Sequence, residues 1–149
     1  MAPQGFFNLW DLYLVISTEE KAIDWCRDRG LIPREMECPL CGDLLPVRGG
    51  GGRRFGRFQC QKGVAGHEVY GNFEMSAASN TFFSKIKLPL SRALTLIYAF
   101  CREFSYEQTR TEIVRQNAPD ISDKTIADWF SYLREVCRGE IILCLSLTN

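Results

Sequence analysis

Apolar residues recur at helical spacing in two stretches of the chain and at strand spacing between them. Leu9, Leu12 and Val15 or Ile16 share one side of a short helix predicted over residues 8–16. A second helix is clearer. Ser17 and Glu20 stand at capping-box spacing, Ala22, Ile23 and Cys26 form an apolar stripe with Trp25 beside it, and Gly30 sits where a helix stops. Pro33 then forces an extended exit. Between residues 36 and 76 Gly and Pro punctuate the chain, and Phe55, Phe58, Tyr70 and Phe73 supply strand-type side chains, so short strands and turns are expected, with a flexible tip at 49–52.

The last third reads as helix throughout. Pro89 suits a first turn, and residues 90–104 are apolar on most sides, which predicts a central, buried helix. Ser105 and Gln108 offer a capping box for a second helix to about residue 116, and 117–120 is a break. Ser122 caps a third helix to about residue 138, its buried face marked by Ile126, Trp129, Phe130, Leu133, Val136 and Cys137. Residues 141–149 form an apolar tail without a cap.

Composition narrows the picture. At 149 residues, 46% hydrophobic and 24% charged, the chain is ordinary for one compact domain or two small modules. The net charge is zero, so any contact with nucleic acid must come from local charge. Seven cysteines are an odd number; three lie at metal-type spacing and Cys26, Cys101, Cys137 and Cys144 lie in apolar or helical surroundings, a pattern suited to a reducing compartment. No secretory signal is visible, and the longest apolar run, 88–101, is interrupted by Ser91, Arg92 and Thr95 and too short for a bilayer. A soluble, intracellular protein is expected, nuclear if its source is eukaryotic, with no membrane contact.

The chemistry concentrates in one stretch. Cys38 and Cys41 are two residues apart with Gly42 behind them, the spacing of a knuckle in which two thiolates reach one ion and the glycine allows the tight turn. Cys60 and His67 supply a second pair from a facing hairpin, completing a closed tetrahedral shell for one structural Zn²⁺. Free thiols or a redox pair are the other reading of Cys38 and Cys41; Pro33, Pro39 and Gly42 speak against the helical setting such a pair needs. His67, after a wide gap, is the loosest ligand.

Arg48, Arg53, Arg54, Arg57 and Lys62 fall together with no acidic residue between Asp43 and Glu68, with Phe55 and Phe58 interleaved. The loop either follows phosphates or is a solvated hairpin tip. The last two helices suit a helix-turn-helix, whose outward face would carry Ser122, Lys124, Thr125, Ser131 and Arg134 toward duplex DNA, with Asp123 and Asp128 awkward there. An ordinary helical bundle fits the same pattern.

The string "NTFFSKIKLPLSRALTLIYAFCREFSYEQTRTEI", the segment "DWFSYLREVC", the knuckle "CPLCG" and the leading "STEEKAIDWCRDRGLIP" resemble the N-terminal part of Merlin-type cut-and-paste transposases over nearly the whole chain. The resemblance implies a zinc ribbon joined to a helix-turn-helix that binds transposon ends, with catalysis in a later RNase-H-like domain. His67 departs from the cysteine that usually closes the family's second knuckle, and too little chain follows Cys137 for that catalytic domain, so no enzymatic activity is expected. The expectation is an α+β protein: an N-terminal helical segment (1–34), a small zinc ribbon (35–80), a C-terminal three-helix helix-turn-helix (81–140) and the tail (141–149). Its partner would be double-stranded DNA, with a second copy or another protein on the helical face or tail. The alternative is a docking module of a nuclear complex built on a transposase-derived fold, favoured by the zero net charge, Asp123, Asp128 and the apolar tail.

Overall fold

The structure, a computed structural model, describes residues 8–49, 53–63, 67, 71–114 and 120–146. It is α+β: helices α1 (Leu9–Val15) and α2 (Glu19–Asp28), strands β1 (Glu35–Glu37), β2 (Leu44–Pro46), β3 (Arg57–Cys60) and β4 (Phe73–Ser76), then helices α3 (Leu90–Cys101), α4 (Tyr106–Val114) and α5 (Asp123–Ser146). The chain divides into two compact units, one of Met1–Leu14 with Leu88–Asn149, the other Val15–Lys87. The two N-terminal helices, grouped as one segment in the sequence, therefore fall largely in different units.

In the unit Val15–Lys87 the strands make two antiparallel pairs. Glu35 faces Pro46 and Glu37 faces Leu44 in the first; Arg57 faces Ser76 and Cys60 faces Phe73 in the second. Period-two alternation turns Phe58 and Cys60 inward while Arg57 and Gln59 are only partly covered. Cys38, Leu45, Phe58, Cys60 and Ala77 form the small core, ringed by Met36, Val47 and Met75. Helix α2 buries Ala22, Ile23 and Cys26, as its stripe predicts. Its N-cap is Thr18, not Ser17: Thr18 takes the extended conformation and its hydroxyl accepts from the Lys21 N–H at 3.3 Å. The Ser17 hydroxyl instead accepts from Lys21 Nζ at 3.1 Å. Adjacent Ser and Thr are equivalent as caps, and only backbone geometry selects between them. At the other end Gly30, at φ +70°, closes the helix with bonds from its own N–H to Arg27 and from Leu31 to Cys26.

In the other unit α3, α4 and α5 pack pairwise. Leu96, Ala99, Ile113, Ile121, Ile126 and Phe130 make the core, with Leu88, Phe100, Phe104 and Trp129 against it. Helix α3 is buried along most of its length, as expected of its composition. The Ser105–Gln108 capping box forms in both directions, at 2.9 and 3.2 Å, and Ser122 accepts from the Thr125 N–H at 3.2 Å to cap α5. The buried hydroxyls of Thr95 and Thr109 donate to the carbonyls four residues back, so neither is left unsatisfied. Helix α1 starts from a reciprocal Asn8–Asp11 cap, which the sequence reading missed, and Tyr13 Oη donates to the Glu112 carbonyl at 2.8 Å, tying α1 to α4.

Two expectations change here, and one lies outside the described residues. Helix α4 is described to Val114, and the break at 117–119 lies outside the described residues. Helix α5 continues to Ser146, well past residue 138, so 141–146 is helical backbone. Gly139 alone costs about 1 kcal/mol inside a helix and does not stop it. Val136 and Cys137 are exposed, not buried, as is every residue from Arg134 to Gly139. Among the described residues the buried face of α5 ends at Leu133.

The end of α3 yields a first prediction. Glu103 sits at φ +56°, held there because its N–H bonds to Phe100 and the Phe104 N–H bonds to Ala99. An L-residue pays roughly 1 kcal/mol in this conformation, partly offset for glycine by the freer unfolded chain. Glu103→Gly should therefore stabilise the protein by about 0.5 kcal/mol, seen as a higher urea midpoint at unchanged slope. A lower midpoint would mean that the exposed carboxylate contributes more than the strain costs.

Candidate metal centre

The knuckle arises from the β1–β2 connection. Cys38 follows β1 directly, its N–H donates to the Asp43 carbonyl at 2.8 Å, and the Gly42 N–H donates back to the Cys38 carbonyl at 2.8 Å. Gly42 holds φ +76°, the left-handed turn this closure needs. The second pair comes from the other hairpin: Cys60 ends β3, and His67 lies in the connection to β4.

The four donor atoms converge. All lie within 4.8 Å of one another. Cys41 Sγ is 3.9 Å from Cys60 Sγ, and His67 Nε2 is 3.5 Å from Cys38 Sγ and 3.1 Å from Cys60 Sγ. Metal–sulfur bonds of about 2.3 Å and metal–nitrogen bonds of about 2.1 Å in a tetrahedron require edges of about 3.5–3.8 Å. The cluster can therefore hold one metal ion with little rearrangement. Cys38, Cys60 and His67 are buried and Cys41 partly so.

His67, the loosest ligand in the sequence, is held firmly. Its Nδ1 is hydrogen-bonded to the Gly71 carbonyl. A carbonyl only accepts, so Nδ1 carries the proton and the Nε2 lone pair faces the sulfurs, the arrangement of a ligating imidazole. The thiols are also prepared unequally. Burial pushes Cys38 up, but the N–H groups of Leu40 and Cys41 and the Cys41 and Cys60 thiols outweigh it and bring it down to about 7. The Asp43 N–H favours the Cys41 thiolate, yet burial and the sulfurs of Cys38 and Cys60 raise it on balance. A bound cation would draw off the remaining protons. By contrast, burial raises the Cys26 thiol to about 11, against the lowering effect of Arg29, which fits a packing role.

The ribbon's basic residues are mostly occupied within the chain. Arg53 and Arg57 share Glu74 at 2.5 and 3.4 Å, Lys62 pairs with Asp43 at 2.7 Å, and Arg54 pairs with Glu19 at the start of α2 while lying over the Phe55 ring. Arg48 and Arg57 exchange backbone hydrogen bonds at 2.8 and 2.9 Å, and the Arg48 side chain is exposed. Arg27 donates to the Phe55 carbonyl at 3.1 Å, so α2 is clamped to the ribbon from both ends. The counter-charges Glu19 and Glu74 escaped the sequence reading. Glu74 had a signal, since hairpin register places it on the same side as Arg57; Glu19 had none.

On α5 the anticipated outward residues are outward: Ser122, Lys124, Asp128, Ser131 and Arg134 are exposed and Thr125 is half-buried. Lys124 pairs with Asp128 at 3.0 Å, and Asp123 pairs with Arg110 of α4 at 2.7 Å. Among the described residues no helix is long and apolar enough to cross a membrane. Compared with known protein families, curated proteins and solved structures, the chain matches none.

Proposed function

We propose that the chain is a zinc-stapled DNA-binding module that places α5 against duplex DNA and performs no catalysis itself. The supporting observation is the construction of α5. Ile126, Phe130 and Leu133 bury one side of it, while Lys124 and Ser131 leave a polar side open, with Ser122 exposed at its N-terminus and Arg134 exposed at the edge next to Phe130. A capped helix held from behind by two others, with hydroxyls and cations in front, suits a major groove in the manner of a helix-turn-helix. The resemblance to Merlin-type transposases points the same way. The three sulfurs and one imidazole favour Zn²⁺, and a four-protein-ligand shell makes it structural.

Magnitudes separate the two groups of basic residues. The Lys124–Asp128 pair is 82% and 65% exposed and worth at most about 0.5 kcal/mol, so a phosphate can replace the carboxylate. Arg54 and Glu19 are each 28% exposed and support the packing of α2, so DNA would disrupt the fold to recruit Arg54. Of the ribbon cations, Arg48 is the one best placed for phosphate.

In a duplex-binding titration over a range of salt, Lys124→Ala combined with Arg134→Ala should weaken binding and reduce the salt slope by about 2. Arg54→Ala should leave that slope unchanged. If the wild-type chain fails to bind duplex, the DNA reading is wrong. A docking module is the second reading. It is favoured by the internal neutralisation of the ribbon and by Trp10 and Leu14, which are 70% and 59% exposed one turn apart on α1.

A further inference from the structure

Two thiols outside the metal cluster belong to facing helices. Cys101 is the last residue of α3 and lines a surface cavity of about 550 Å³ together with Phe100, Phe104, Phe130 and Arg134. Helix α5 meets this corner through Phe130, whose ring centroid is 5.5 Å from that of Phe100, and through Arg134 one turn later. Cys137 follows Arg134 by three residues and Phe130 by seven, which puts it on the same helical face. Cys101 and Cys137 are both exposed. Partial burial of its sulfur, and then the charge of Cys137, raise the Cys101 thiol, in keeping with the two thiols facing the same corner.

We propose that Cys101 and Cys137 are a redox-responsive pair that hydrogen peroxide converts to a disulfide joining the end of α3 to α5. One thiol is oxidised by peroxide to a sulfenic acid with release of one water. The second thiol then attacks that sulfur, forming the S–S bond and releasing the hydroxyl with its proton as a second water. The two sulfurs lose two electrons in all, and these cleave the peroxide O–O bond. A dithiol such as dithiothreitol returns both thiols by exchange. The other described cysteines are differently engaged: Cys26 is buried in the core, and Cys38, Cys41 and Cys60 lie in the metal cluster. The new bond would close a loop containing all of α4, and so restrain the unfolded chain and hold α5 against α3. The inference does not depend on the DNA reading.

The test is peptide mapping by mass spectrometry of the zinc-loaded full chain after peroxide at a dose that leaves zinc bound, with free thiols alkylated. The expected product is a peptide pair linked through Cys101 and Cys137, lighter by two hydrogens, formed within one molecule and removed by dithiothreitol. It should accompany a higher thermal midpoint that returns on reduction. Cys101→Ser and Cys137→Ser, both at exposed positions, should each abolish the link and the shift. Separate sulfenic or sulfinic acids on the two residues, a link to another cysteine, a link between two molecules, or no reaction would each overturn the pairing.

Discussion

Chelating the metal is expected to unfold the ribbon, β1 through β4, in a single step. Two sheets of two strands, three or four residues long, are not independently stable, and the core between them consists largely of Leu45, Phe58 and Ala77 beside the ligands themselves. Structural zinc supplies on the order of 10 kcal/mol or more at neutral pH, and without a preformed site in the unfolded chain this is folding free energy. One zinc per chain should be found, and amide exchange of the strands should become fast when it is removed. His67→Ala should cut zinc affinity by orders of magnitude; full retention would remove His67 from the shell. Acid should act in the same direction. Thiolates and neutral imidazole are the ligating forms. The raised Cys41 thiol already makes zinc compete with a proton at neutral pH, and with Cys38 near 7 in the metal-free chain zinc binding should weaken more steeply as pH falls below that value.

Phe130→Ala carries the largest effect expected in the helical unit. The ring is 4% exposed and packs edge-on against Phe100 at 5.5 Å and Tyr106 at 5.8 Å, so it joins all three helices. Emptying that position should cost about 3–5 kcal/mol, from lost transfer free energy and the cavity left behind. Denaturant unfolding would show a lower midpoint. A loss below about 1 kcal/mol would mean that the three helices do not share one core.

The metal cluster was legible because its signals are local. A two-residue spacing and a glycine mark Cys38 and Cys41 without knowledge of the fold, and Cys60 and His67 follow as further donors of the right type, His67 as the loosest. Helical periodicity likewise marked the buried face of α5 through Leu133. It failed at Val136 and Cys137 because periodicity shows which side of a helix is apolar, not where its neighbours end. The surroundings of the arginine run were not legible for a related reason. Whether Arg53, Arg54 and Arg57 face water, phosphate or a carboxylate depends on Glu74 across the hairpin and on Glu19, which only the fold brings near. Gly71 left no trace at all, since its carbonyl, common to every residue, orients His67. The continuation of α5 past residue 138 was missed because its one breaker, Gly139, is too weak to act alone.

The most direct test of the DNA reading is selection from a random duplex pool by the zinc-loaded chain at near-physiological salt, with sequencing of what is retained. The account predicts a defined motif, read by α5, whose enrichment disappears with the double substitution of Lys124 and Arg134 but survives Arg54→Ala in protein that remains folded. A pool that is not retained at all, with zinc bound and α3–α5 intact, would contradict it and leave the docking reading in its place.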